Sequence, residues 1–371
     1  MKRILSIDVL RGFDMMWIMG VGSFFLLAGR ASGTPFGAFV ADQMEHVPWI
    51  GLHLMDLIFP TFVFLAGASW PFSLVSQRAK GKTDGEIFRK ILWRFLVLFA
   101  FGLLYDSFLG FKDIGFDFCK VRYNSVLGRI GFGWAVAAAT LLFSRRWRTV
   151  VLVAAVSFFG YWALSEIVPR LVHPGASVWA TRESTLCFML DEWLTPGRTV
   201  GLRVAGHEGF YSAFGCIPSA FLGLFAGRIL QFTDWSDRRK SLTLLVSAAV
   251  LGLATVLALP FCPCIKPAWN PTYILASAAI DFALLWLFHL VIDIGGYVKW
   301  CFVFQVIGMN SITIYMMRRL VDWQYTSRRF FAGIAHLFPP VWFDAVIEAG
   351  SVLICWLILY YLYRRKIFLR V

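Results

Sequence analysis

The chain has 371 residues, of which 59 % are Ala, Val, Ile, Leu, Met, Phe, Trp, Tyr or Cys and only 15 % are Asp, Glu, Lys or Arg. With a mean hydropathy of +0.69, this composition excludes an ordinary water-soluble enzyme, a disordered segment and a collagenous chain. The net charge of +13 would suit a nucleic-acid binder, but the basic residues lie in short strips between apolar blocks, which is the pattern of membrane topology and excludes a nucleic-acid partner.

Apolar blocks of roughly 20 residues, long enough to cross the hydrocarbon core, predict helices at 7–29, 54–74, 88–108, 124–143, 149–167, 210–230, 241–259, 271–292, 300–319 and 341–363. The fold class is therefore all-α: a polytopic helical bundle of about ten crossings, a single membrane domain over residues 1–371. The clusters RAKGKTDGEIFRK (78–90) and SRRWR (144–148) sit close to span ends and place the N- and C-termini inside. The stretch RRLVDWQYTSRR (318–329) runs against that orientation, and FFAGIAHLFPP (330–340) is too short to cross and reads as interfacial or re-entrant. Asp8, Arg11 and Asp14 interrupt the first block, which favours a retained helix over a cleaved leader. The longest extramembrane segment, 168–209, is expected outside as a cap. The seven cysteines are scattered; an outside location permits Cys119, Cys187, Cys262 or Cys264 to pair, with partners unassigned.

Charged groups at membrane depth are costly and normally meet a partner or a water-filled pocket. Asp8 and Arg11 are three residues apart on one helix face, fit either to lock the first helix as an ion pair or to line a cofactor channel. In DQMEHVPWIGLHLMDLIFP (42–60), His46 is a candidate base, since an imidazole removes a proton from an amine or hydroxyl near neutral pH, and a carboxylate can orient it. Asp56 falls inside the second block and should contact a basic group, a donor network or substrate. His53 is weaker, because Pro48 interrupts any helix joining it to His46. Further candidates are Asn124 and Arg129, His207 and Glu208, Asp281, and His289 with Asp293, which are spaced to pair across one helical turn. Asn310 in GMNS reads either as a cap on a helix break or as a cofactor contact. No zinc motif, phosphate-binding loop or serine elbow is present in the sequence, so no metal is expected.

RILSIDVLRG followed by EHVPWIGLHLMDLIFPTFVFLAG resembles the paired signatures of the heparan-alpha-glucosaminide N-acetyltransferase family and its bacterial members. The resemblance continues through NSVLGRIGFGW, EGFYSAFGCIPSAFLGLFAGR, IKPAWNPTYILASA and VIGMNSITIYMM, and so covers most of the chain in one order. It implies a multi-pass acyltransferase of the bacterial cytoplasmic (inner) membrane. Such an enzyme takes acetyl groups from cytoplasmic acetyl-CoA and delivers them to the amino group of glucosamine or a glucosamine-containing saccharide on the other side. A homodimer is also implied.

His46 matches the family's catalytic histidine within H-x-x-W-x-G-x-x-x-x-D, which makes His46 and Asp56 the expected catalytic residues. Ser6, Asp8, Arg11, Arg129 and Asn310 are expected to contact acetyl-CoA, and Glu45, Trp49 and Glu208 the acceptor. Two departures stand out. Where the family often has D-P-E-G this chain has G-H-E-G, so Glu208 transfers and the residue before it does not. Ten residues after the Arg11–Gly12 pair, the family's asparagine is replaced by Gly22. Direct transfer with His46 as base is expected in preference to an acetyl-histidine intermediate. The rival functions are an amino-sugar permease without acyl transfer, an O-acyltransferase acting on an envelope glycan, and a membrane scaffold.

Overall fold

In the computed structural model, the structure describes residues 4–108, 125–144, 146–175, 177–194 and 209–369. The long apolar runs form helices because a backbone surrounded by lipid must satisfy its own hydrogen bonds. The first span, Leu5–Ser32, comprises α1 (Leu5–Met16), a π turn (Trp17–Val21) and α2 (Gly22–Ser32). Its kink falls at Gly20, whose φ of 132° is open to glycine. After α3 (Pro35–Gln43) the chain passes through an irregular loop and the 3-10 turn Leu54–Asp56 into α4 (Ile58–Ala79). There follow α5 (Asp84–Leu103), α6 (Val126–Phe143), α7 (Trp147–Val172), the short α8 (Leu186–Leu194), α9 (Ser212–Gln231), α10 (Asp237–Ala258) and α11 (Pro271–Phe288) with a terminal π turn, His289–Ile294. The C-terminal part holds α12 (Phe302–Met309), α13 (Ser311–Leu320), α14 (Trp323–Ala335) and α15 (Phe343–Arg364).

Among the described residues, eight helices are long and apolar enough to cross a membrane, or nine when the bent pair α12–α13 counts as one. The expected ten differ at 88–108, which is α5: it has the length, but Arg89, Lys90 and Arg94 interrupt its apolar run. The block expected at 300–319 as one span is broken at Asn310, where α12 and α13 meet at 61°. The arginines of 318–329 are taken up locally. Arg318 faces Glu348 (3.7 Å), Arg328 pairs with Asp344 (3.1 Å), Arg329 donates to the Tyr325 hydroxyl (2.6 Å), and Arg319 lies 5.9 Å from the Tyr105 ring centre. The amphipathic α14 packs along α15.

Helices α4 and α9 form the centre, with 67 % and 72 % of their apolar windows buried, against 22 % for the peripheral α7 and α10. A Cβ at Gly67 would overlap the Ala220 carbonyl, and one at Gly223 would overlap that of Phe64. Glycine therefore permits the backbone contact on which this seam depends, since helices in lipid associate through close packing rather than by leaving water. Likewise Gly12 lets α1 meet the backbone of α12 at Phe304. One end of this frame carries the loop before α4 and the loop between α10 and α11, and both converge on Asp56.

Candidate active site

The loop 44–53 is not helical, so His46 and His53 do not share a helix face. Asp56 organises it instead. Its Oδ2 accepts the backbone N–H groups of Val47 (3.3 Å) and His53 (3.0 Å), while its carbonyl accepts the Tyr273 hydroxyl (2.6 Å). Its Oδ1 lies 2.8 Å from His46 Nδ1 and 3.1 Å from Lys266 Nζ. Asp56 is 0 % exposed, and this set of donors is what allows a carboxylate to stay buried. The loop is tied further by Gly51 N–H donating to the Cys264 carbonyl (2.9 Å).

Lys266 comes from the loop 262–270, the part of IKPAWNP that precedes α11. That loop is closed by Asn270, whose Oδ1 accepts the N–H groups of Ile265 (3.1 Å) and Tyr273 (3.1 Å) and whose Nδ2 donates to the Pro263 carbonyl (2.5 Å). Thr272 Oγ1 donates to the Cys262 carbonyl (2.6 Å). Trp269 is fully buried, and its indole N–H donates to Ser219 Oγ on α9 (3.1 Å). A helix cap and an anchored indole thus hold the ammonium in place over Asp56.

The distances assign the histidine tautomer. A 2.8 Å contact from Nδ1 to a carboxylate oxygen requires the proton on Nδ1. Lys266 Nζ, although 3.0 Å from Nδ1, is then a second donor to the same Asp56 oxygen. In the neutral imidazole the lone pair is then on Nε2, which has no partner among the described residues. The His46 side chain is 59 % exposed.

His46, Lys266 and Met55 line a cavity of about 430 Å³ that reaches Arg11 and Arg94 and is walled by Phe59, Phe62, Leu98 and Tyr315 among others. Arg11 pairs with Asp8 at 3.3 Å within α1 and also lines the cavity. The Arg94 guanidinium lies 4.5 Å from the Trp134 ring centre, within cation–π range, and has no ion-pair partner among the described residues.

The other expected site residues lie elsewhere. Ser6 is buried at the start of α1, where Asp293 accepts its N–H. Arg129 is fully buried between Phe59 and Ser212. Asn310 sits at the α12–α13 break, donates to the Ile367 carbonyl (3.3 Å) and accepts from Thr313. None of these three lines the cavity. Glu45 pairs with Arg30 (2.6 Å). Trp49 donates its indole N–H to the Trp179 carbonyl (3.1 Å), and Arg182 donates to the Pro48 carbonyl (3.0 Å), so the described part of the expected cap packs on the His46 loop. His53 contacts Asp42 (3.3 Å) and the Glu45 carbonyl (3.0 Å). Asn124, His207 and Glu208 lie outside the described residues.

Cys187, Cys262 and Cys264 are unpaired, buried thiols, and Cys119 lies outside the described residues. Burial, then the neighbouring Asp56 charge, pushes the Cys264 thiol up to about 12, and burial takes that of Cys262 to about 11.

Lys266 is not among the residues that the sequence singles out. The signal for Lys266 was the buried Asp56, which demanded a basic partner.

The whole chain aligns with the heparan-alpha-glucosaminide N-acetyltransferases of Mus musculus, at 26 % identity over 429 positions, and of Homo sapiens, at 25 % over 426. It covers 61 % and 60 % of those proteins, respectively, so it spans less than two thirds of their length. No protein-family model matches the chain. The relation is distant and covers the full chain.

Proposed function

We propose that this protein is a transmembrane acetyltransferase that moves an acetyl group from acetyl-CoA to the amino group of glucosamine or a glucosamine-containing saccharide, with His46 as general base. The observation that carries the reading is the His46–Asp56–Lys266 cluster at one end of a cavity whose other lining includes Arg11 and Arg94. Asp56 accepts Nδ1–H and leaves Nε2 as the proton acceptor, the arrangement a base needs. The mostly apolar cavity suits the acyl-pantetheine arm of acetyl-CoA. Arg11 and Arg94 offer positive charge for its anionic groups.

In the proposed step, Nε2 of His46 takes a proton from the acceptor amine as the amine nitrogen bonds to the thioester carbonyl carbon. The carbon–sulfur bond breaks, and Nε2 returns the proton to the departing thiolate. The Lys266 ammonium stands at the same end of the cavity, where it can oppose the negative charge that develops on the carbonyl oxygen. With the N- and C-termini inside, Arg11 and Arg94 face the cytoplasmic donor and His46 the distal acceptor, and Trp179 and Arg182, which pack on the His46 loop, lie on the acceptor side. The expected homodimer belongs to the same reading.

The test is transfer from radiolabelled acetyl-CoA to a panel of amino sugars by purified protein, with His46→Ala as control. Transfer that depends on His46 supports the reading. Sugar flux into proteoliposomes without acetyl-CoA, and no transfer, would replace it with a permease.

A further inference from the structure

Along α11 and its terminal π turn, polar residues recur at four-residue steps: Tyr273, Ser277, Asp281, then Leu285, then His289 and Asp293. Tyr273, Ser277, Asp281 and His289 are all buried. Each four-residue step advances about 40° around an α-helix, so the row winds along the buried side of α11 instead of forming a straight stripe. At one end Tyr273 reaches the Asp56 carbonyl, and at the other Asp293 accepts the N–H groups of Leu5 (3.1 Å) and Ser6 (3.4 Å) and pairs with His289 (3.0 Å). Helix α1 runs antiparallel alongside with a matching row: Ser6, Leu10 and Asp14. Asp14 lies within electrostatic reach of Asp281.

Two atoms of this seam, Asp14 Oδ2 and His289 Nε2, are buried without a hydrogen-bond partner among the described residues. Buried polar atoms are normally satisfied, so each marks a place for a proton or a bound water.

Asp281 is 2 % exposed, and its Oδ1 accepts the Thr61 hydroxyl at 2.5 Å; the Leu57 carbonyl, 2.8 Å from the same hydroxyl, already accepts the Thr61 N–H. A single hydroxyl donor does not compensate a charge buried this deeply, which favours the neutral carboxyl.

We propose that Asp281, with Asp14 opposite, is a proton-binding site inside the membrane. It forms part of a polar seam that leads from the His46–Asp56–Lys266 cluster to the start of α1 and is interrupted by one apolar layer, Leu10 and Leu285. The ionisable groups on the elements packed against α11 at this depth are Asp14, Arg11 and Asp8 on α1 and Asp56 on the turn leading into α4. Helices α7, α9 and α10 carry charge only toward their ends. No cation is paired with Asp281 among the described residues.

Resting on the acetyltransferase reading, the site also has a task. An ammonium acceptor and acetyl-CoA yield an amide, a free thiol and one surplus proton, which the seam would receive.

The experiment is infrared spectroscopy of the reconstituted full chain, in which a protonated carboxyl gives a C=O stretch distinct from a carboxylate. Wild type is expected to show that band at neutral pH, and Asp281→Asn, which preserves shape, to remove most of it. Absence of the band in wild type overturns the proposal whether or not variants fold, as does a band untouched by both Asp281→Asn and Asp14→Asn. Leu285→Ser is expected to raise proton entry into proteoliposomes several-fold, read by a trapped pH dye, and Asp281→Asn in the same chain to reverse it. No rise would overturn the seam's continuity. An active transferase without the band refutes the proton site alone, whereas the band in a protein inert to acetyl-CoA refutes the transferase alone.

Discussion

Replacing Lys266 with Met keeps an unbranched side chain of similar length and removes the ammonium 3.1 Å from Asp56 Oδ1. Removing one partner of a buried pair costs about 3–5 kcal/mol because the other charge is left uncompensated. Solvent cannot make up the loss, since Asp56 is 0 % and Lys266 10 % exposed at the side chain. Three donors remain on Asp56, namely Nδ1 of His46 and the N–H groups of Val47 and His53, so the lower end, about 3 kcal/mol, is expected as lost stability. A disturbed carboxylate also orients His46 less well. If roughly half of that energy appears in the transition state, kcat falls about tenfold or somewhat more.

Acetyl transfer by Lys266→Met, measured with melting temperature in the same detergent, should therefore show lower kcat with little change in the KM for acetyl-CoA, together with a lower Tm. Adding Asp56→Asn removes the orphaned charge, so the double variant should regain much of the Tm without regaining activity, a non-additivity expected of groups in contact. A folded Lys266→Met with wild-type kcat and Tm would refute the linkage of Lys266 to His46 through Asp56.

Arg94→Gln should raise the KM for acetyl-CoA and leave kcat nearly unchanged, because the guanidinium lines the cavity and lies over Trp134 without bonding His46, Asp56 or Lys266 among the described residues; an unchanged KM would remove Arg94 from donor binding. Gly223→Val should abolish monodisperse protein on size exclusion, since the added Cβ enters the Phe64 carbonyl and overpacking against backbone has no side chain to yield. Cys262 and Cys264, with thiols raised to about 11 and about 12, stay protonated at pH 8 and should resist maleimide until the protein is unfolded, because the thiolate is the nucleophile. Mass spectrometry before and after denaturation reads this directly.

The membrane bundle was legible because bilayer thickness sets a length that apolar blocks reveal directly. Alpha-helical spacing also exposed the His289–Asp293 pair, and the polar Asn310 marked a break. The partners of such groups were not legible. Asp293 satisfies the amide groups of α1, 287 and 288 positions away in the chain, and Lys266 meets Asp56 across 210. Spacing rules reach one or two helical turns; contacts of that range depend on how the bundle is packed. Trp49 shows the converse limit, since its motif position suggested an acceptor contact while its indole N–H is committed to Trp179.

Gly22 bears most directly on how far the resemblance extends to mechanism. The family's asparagine is expected beside the histidine, yet a Cβ at Gly22 would sit 3.0 Å from the Met55 sulfur. Met55 lines the cavity and immediately precedes Asp56 in the short turn Leu54–Asp56, so the methionine occupies the room an amide would take. Asp56 and Lys266 orient His46 without any group at position 22. Gly22→Asn should fold, because its nearest contact is the far end of a flexible side chain and the Trp17 carbonyl stands back at 3.3 Å, but it should push Met55 into the cavity and lower kcat/KM. Met55→Ala in the same chain should restore it by returning the space. If Gly22→Asn instead raises kcat with Met55 intact, the amide supplies something the Asp56–Lys266 pair does not, and the orienting role assigned to that pair is incomplete.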